Sequence, residues 1–226
     1  MTLKNEKRGT TVRDHFLKEI EEINQQILRM SVIVEENIQK AIKALKNQDP
    51  KLAKEVIATD GEVNAFELTI TDACVRFIAL GQPVATDLRW IVACLKSVSE
   101  IERIGDYAVH AAKRARDLAD EKYIKPLVDI PKMLALGAEM LRDAVNSLVN
   151  ADPVLAQATA KRDEDMDNLN KQVYRELLTL MLEDKDNIKQ ATKLLFLSRF
   201  LERMGDHAVA ICGWTIYAVQ GEHSDF

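Results

Sequence analysis

Glu102-Arg103-Ile104-Gly105-Asp106 returns as Glu202-Arg203-Met204-Gly205-Asp206, at an offset of 100. Residues four apart on a helix share a face. Each copy therefore sets a Glu and an Asp side by side, inside a run that otherwise reads as buried helix. Two carboxylates on an apolar face are costly unless a cation or a set of donors meets them. The duplication points to the architecture, and the acid pairs point to the function.

Outward from these pentapeptides the repeat continues. Leu45-Lys46-Asn47-Gln48-Asp49-Pro50 matches Leu148-Val149-Asn150-Ala151-Asp152-Pro153 at an offset of 103. At that offset Asp60 falls on Asp163, Asn64 on Asp167 and Glu67 on Asn170. A repeat of about half the chain is one structural unit duplicated, not a solenoid of short repeats.

Punctuation divides each unit into three helices. The first unit reads as helices over 13–47, 50–80 and 84–121, the second as 131–150, 153–183 and 186–220. Asp49-Pro50 stops one helix and opens the next, with Asp49 as cap and Pro50 in the first turn. Gly81-Gln82-Pro83 separates the second helix from the third, and Pro83 is expected in the third helix's first turn. Pro126 and Pro131 bracket the linker between units, and Asp184 or Asp186 caps the last helix. The predicted fold is all-α: two tandem, pseudo-symmetric antiparallel three-helix bundles, six helices in all. The predicted domains are 1–122 and 123–226.

Composition agrees. Of 226 residues 47% are hydrophobic and 30% charged, enough for a large core and a solvated surface, while only 5% are aromatic. With 8 Gly and 5 Pro, long helices are favoured over sheet. A net charge of -5 gives nucleic acid no basic face to bind. Cys74, Cys94 and Cys212 form no CxxC pair and sit in helical patterns, so they read as small core residues of a reducing compartment. No apolar run is as long as a membrane span, and the first residues lack a signal peptide's apolar stretch. The expected location is the cytoplasm.

The acids interrupt apolar stripes. Val84, Leu88, Ile91, Leu95 and Val98 lead on through Glu102, Gly105, Val109 and Ala112, so Glu102 takes a seam position its neighbours fill with Leu and Val. Gly105 there costs roughly 1 kcal/mol against Ala, which close approach of a backbone or a bound group would offset. The second unit repeats the stripe as Ile188, Ala191, Leu195, Ser198, Glu202, Gly205, Val209, Cys212 and Ile216. On the second helix of the first unit, Asp60 and Glu67 stand among Val56, Val63, Ile70, Cys74 and Phe77. Second and third helices of a bundle are antiparallel neighbours. One seam can therefore gather Asp163, Asp167, Glu202 and Asp206. The other can gather Asp60, Glu67, Glu102 and Asp106, with Asn64 where the second unit has an acid.

Four carboxylates at one seam raise each other's pKa and push the helices apart. A bound cation removes the problem. An all-oxygen donor set suits hard ions such as Mg, Ca, Mn or ferric iron, and Zn also accepts carboxylates. Di-iron bundles add a Glu-x-x-His pair, which these helices lack. His110 and His207 have no histidine partners in the other unit and read as rim or packing residues. The competing reading is a row of acids that face water or pair with Lys and Arg. Arg199, three before Glu202, can bridge to it, whereas Arg103 and Arg203 are expected to point away. Spacing alone leaves both readings open.

The chain resembles the PhoU family of phosphate-transport regulators across nearly its whole length. The resemblance rests on the duplicated three-helix unit, the paired ERxGD signatures, and Gln82-Pro83-Val84-Ala85-Thr86-Asp87-Leu88-Arg89 opening a third helix. Glu102/Asp106, Glu202/Asp206 and Asp163/Asp167 fit the family's E/D-x-x-x-D motif, and Asp60/Asn64 departs from it by one amide. The resemblance implies multinuclear iron or zinc clusters on the bundle surface, with fewer or weaker metals in the first unit. It implies a non-enzymatic adaptor that damps phosphate uptake and starvation signalling. Its partners would be the ATPase subunit of a phosphate ABC transporter and a sensor histidine kinase. The chain would be a homodimer and meet the membrane only through partners. The rival expectation is a carboxylate-bridged bundle that stores metal or does redox chemistry. Arg89, misplaced at a positive helix end, is expected to meet a partner or a neighbouring acid.

Overall fold

The structure, a computed structural model, describes residues 3–222, with side chains from residue 17. The helices are α1 (Leu3–Asn47), α2 (Pro50–Ala58), α3 (Asp60–Gly81), α4 (Thr86–Asp117), α5 (Asp129–Val149), α6 (Pro153–Ala160), α7 (Asp163–Glu183) and α8 (Ile188–Gln220). Among the described residues there is no strand. The six helical segments expected from the sequence are present, and the second of each unit is broken in two. The breaks lie at Thr59, between α2 and α3, and at residues 161–162, between α6 and α7. At the first break the Thr59 hydroxyl donates to the Val56 carbonyl at 2.7 Å, a local bond that competes with helix continuation.

Equivalent residues start equivalent helices. Asp49 accepts from the backbone N–H of Lys51 and Leu52, and Asp152 from Val154 and Leu155. Each is followed by a proline in the first helical turn. Asp184 accepts from the N–H of Asp186 and leads the short turn into α8.

The start of α4 differs from the sequence reading. Pro83 lies outside the helix, which begins at Thr86. Gln82 and Ala85 both take positive φ, 47° and 46°, so the chain swings through two left-handed residues before the helix starts. Among the described residues Arg89 meets no acid: it donates to the Thr86 hydroxyl at 3.1 Å and rests against Gly221, and its buried Nε has no hydrogen-bond partner there.

α4 and α8 run antiparallel along the middle of the molecule. Arg89 near the start of α4 lies beside Gly221 at the end of α8. Tyr107 meets His207 at mid-length, and Lys193 near the start of α8 bonds Asp117 and Glu121 beyond the end of α4. α3 flanks α4, α7 flanks α8, and α1 and α5 pack together behind them. One continuous apolar core runs through both halves. The linker is tied down: Gln48 donates to the carbonyls of Leu118 and Glu121, Tyr123 to that of Leu45, and Gln190 accepts from the Ile124 N–H.

Candidate metal centre

In the second half, α7 contributes Asp163 in its first turn and Asp167 one turn later. α8 contributes Glu202 and Asp206. The four face one another closely enough to interact. Burial pushes the Asp163 carboxyl up to about 6, and Asp206, Asp167 and Glu202 push it the same way. Burial and Asp206 likewise raise Glu202, against the pull of Arg199. Glu202 is 9% exposed. Its Oε1 takes the Arg199 guanidinium, as the spacing suggested, but its Oε2 is buried with no hydrogen-bond partner. Asp163 Oδ1 is buried and unpartnered in the same way. That oxygen lies against Gly205, where any Cβ would collide with it. The glycine in the pentapeptide thus makes room for a neighbour's carboxylate, not for a backbone. Asp206 and Asp163 also line an open groove with Ala160, Lys161, Glu164 and Val209. Asp167 is paired outward with Lys171 at 3.1 Å, a contact not anticipated from the sequence although the two stand four apart.

The first half gathers its acids more loosely. Burial raises Glu102, Asp106 raises it further, and Glu67 and Asp60 add smaller pushes against Arg103. Arg103 does not point away: it reaches Glu102 at 3.8 Å and Asp106 at 3.6 Å. A long side chain on the same helix can turn back over the acid row, and here it neutralises part of it. Glu67 accepts from the Ser99 hydroxyl at 2.7 Å. Asn64 is half-buried on α3, one turn after Asp60. Gly105 admits hydrocarbon instead of a carboxylate, since a Cβ there would stand 3.3 Å from Val34 and 3.4 Å from Val63.

Between the two acid rows, α4 and α8 meet through side chains that the sequence reading had left as rim or packing. His207 contacts Glu100 through Nδ1 at 2.5 Å and the Tyr107 hydroxyl through Nε2 at 3.3 Å. Tyr107 stacks on Phe200 at 5.9 Å, and His110 on the same ring at 4.7 Å. Tyr107 and His207 are repeat equivalents, as are Glu100 and Phe200. Each member of one pair touches the opposite member of the other, which is the signature of a two-fold relation. His207 is held by Glu100 and Tyr107 through both ring nitrogens, while His110 is held by ring stacking and feels the charges of Asp106 and Asp60. Among the described residues, no three His, Cys, Asp or Glu side chains converge as a ready-made metal cage. The acids form rows with unsatisfied oxygens in the second half.

The PhoU domain model matches residues 27–115 and 130–215. The chain is 43% identical to the phosphate-specific transport system accessory protein PhoU homolog of Aquifex aeolicus, over 92% of this chain and 94% of that protein. It is 35% identical to the corresponding PhoU of Escherichia coli, over 93% and 88%. The crystal structure of PhoU from Pseudomonas aeruginosa superposes with a TM-score of 0.87 at 35% identity, covering 92% of this chain and all of that one. The PhoU structure from Streptococcus pneumoniae gives 0.86 at 28%, over 93% of this chain. With both halves matched by the domain model and similarity to named relatives along nearly the whole chain, this chain belongs to the PhoU family.

Proposed function

We propose that this protein is a regulatory accessory protein of a phosphate transport system, holding uptake and starvation signalling down when phosphate is plentiful. The observation that carries the reading is similarity along nearly the whole chain to proteins named as accessory proteins of phosphate-specific transport. The protein works by binding, as a cytoplasmic adaptor between a transporter's ATPase subunit and a sensor histidine kinase, and as a homodimer. The partners' response is a population shift driven by differential binding. The long bundle suits a bridge.

The second-half acids fit a hard cation. Two buried carboxylate oxygens there, on Asp163 and Glu202, lack any hydrogen-bond partner. Asp163, Asp167, Glu202 and Asp206 are the residues to hold it, and the cation supplies positive charge that offsets their repulsion. The first-half set of Asp60, Asn64, Glu67, Glu102 and Asp106 holds one more weakly, because Arg103 already occupies part of it. Iron and zinc are the first ions to test. A storage or redox role is less favoured, since these helices lack the Glu-x-x-His pair of di-iron bundles.

The test is deletion of the gene in its own host, with alkaline phosphatase measured in phosphate-rich medium. Constitutive expression, repressed again by the wild-type chain, is the expected result. A silent reporter, together with a pulldown that recovers neither transporter nor kinase, sinks the reading. Metal analysis of the purified protein beside a Glu202→Ala/Asp206→Ala variant tests the acids separately.

A further inference from the structure

The repeat supplies an internal control for every buried position, because the same fold is built twice. One facing pair fails that control. In the second half, Leu177 of α7 and Leu194 of α8 are buried and line the same small cavity. Their equivalents in the first half, by the offsets of 103 and 100, are Cys74 and Cys94. Both thiols are fully buried, on the core faces of α3 and α4. The two helices form an antiparallel hairpin, registered by the Ser99–Glu67 hydrogen bond. From that bond toward the hairpin tip, Cys74 is about two turns along α3 and Cys94 about one and a half turns back along α4. The two therefore stand at nearly the same level on facing surfaces. The fold asks only for an apolar contact here, which two leucines satisfy in the other half. Nothing in the packing calls for two sulfurs at once.

We propose that Cys74 and Cys94 are a disulfide-forming pair that can staple α3 to α4. The reaction needs a small-molecule disulfide as oxidant. One protein thiolate attacks it, forms a mixed disulfide and releases one thiol. The second protein thiolate then attacks the protein-bound sulfur and releases the other. Two protein thiols lose two electrons and two protons, and the oxidant is reduced to two thiols. Burial holds Cys74 up at about 12 and raises Cys94, which the neighbouring Cys74 thiol raises further. Such thiols react slowly while the hairpin is closed. Oxidation therefore waits on α3 swinging off α4, and the staple then fixes the helix pair that carries Asp60, Asn64, Glu102 and Asp106. This inference stands whether or not the phosphate reading does.

The experiment treats the reduced, folded full chain with oxidised glutathione and maps its peptides without reduction. Cys212 is equally buried and has Ala112 as its repeat equivalent, so it serves as the unpaired control. The expected product is a Cys74–Cys94 linked peptide, with Cys212 still free and helical content unchanged. Its thermal midpoint should rise by about 5 °C and fall back on reduction. In a Cys74→Ser variant that remains helical, Cys94 should carry glutathione instead. Only glutathionylated cysteines in the wild-type chain, a link to Cys212, or three free thiols after local opening has been verified by hydrogen exchange would each overturn the proposal.

Discussion

An ordinary aspartate titrates at 3.8, whereas Asp163 is pushed up to about 6 in the folded chain. The folded state therefore holds its proton more tightly than the unfolded chain does. The resulting stability is present in full below about pH 3.8 and is lost as pH rises through about 6. At pH 7 the ionised carboxylate works against the metal-free fold. Asp163→Asn should then stabilise the metal-free protein at pH 7 by about 1 kcal/mol, the full shift being discounted because the group is partly solvated. Thermal melts at pH 4 and 7 check this: the advantage should shrink toward zero at pH 4, and a gap that does not change with pH would refute it. Gly205 belongs to the same corner. Gly205→Ala should cost about 1–3 kcal/mol, because its methyl group displaces the Asp163 carboxylate. Gly105→Ala, set against valine methyls, should cost less, and urea titration of both variants compares them. The acid pairs were legible in the sequence because a four-residue spacing fixes a helix face. The return of Arg103 over its own acids and the Glu100–His207–Tyr107 row were not. The first depends on a rotamer, and the second joins residues far apart in the chain.

Among the elements, the short helices α2 and α6 test how far the duplication extends into energetics. Their caps are equivalent and make equivalent bonds. Asp49→Ala and Asp152→Ala should each lower stability by about 1 kcal/mol, and by similar amounts. Chemical denaturation of the two variants measures both, and a cost confined to one would mean that the two units are energetically unlike. Those caps could be read from Asp-Pro alone. The break at residues 161–162 could not, since neither Lys161 nor Arg162 is a helix breaker; there Arg162 pairs with Glu139 and Asp143 of α5, far away in the chain. Pro83 misled for a related reason. Proline favours a first helical turn, but here two left-handed residues on either side of it set the direction of the chain.

For the whole molecule, the linker invites a cut that the core resists. α4 packs on α8 and α1 on α5, so the core of each half is completed by the other. We expect chains 1–122 and 123–226, made separately, to lose fixed tertiary packing, and the intact protein to unfold in one transition. Near-ultraviolet circular dichroism of each fragment is the check. Two well-packed fragments, each melting sharply alone, would show that the units are independent. The repeat forecast two like bundles, but no pattern in one strand of sequence says which faces of two bundles will fuse. That information lies in apolar surface shared between residues about a hundred positions apart.

The opposed directions of α4 and α8 have a consequence for reach. The turn between α3 and α4 lies at one end of the molecule, and the turn between α7 and α8 at the other. α8 alone is 33 residues long, about 50 Å at 1.5 Å per residue. The protein is thus a ruler with a different tip at each end. Both expose apolar side chains, Leu80 and Val84 at one and Leu182 and Ile188 at the other, and the second adds the charges of Asp184, Lys185 and Asp186. Two proteins gripping the two tips would be held that far apart and would read different surfaces, however alike the two halves are inside.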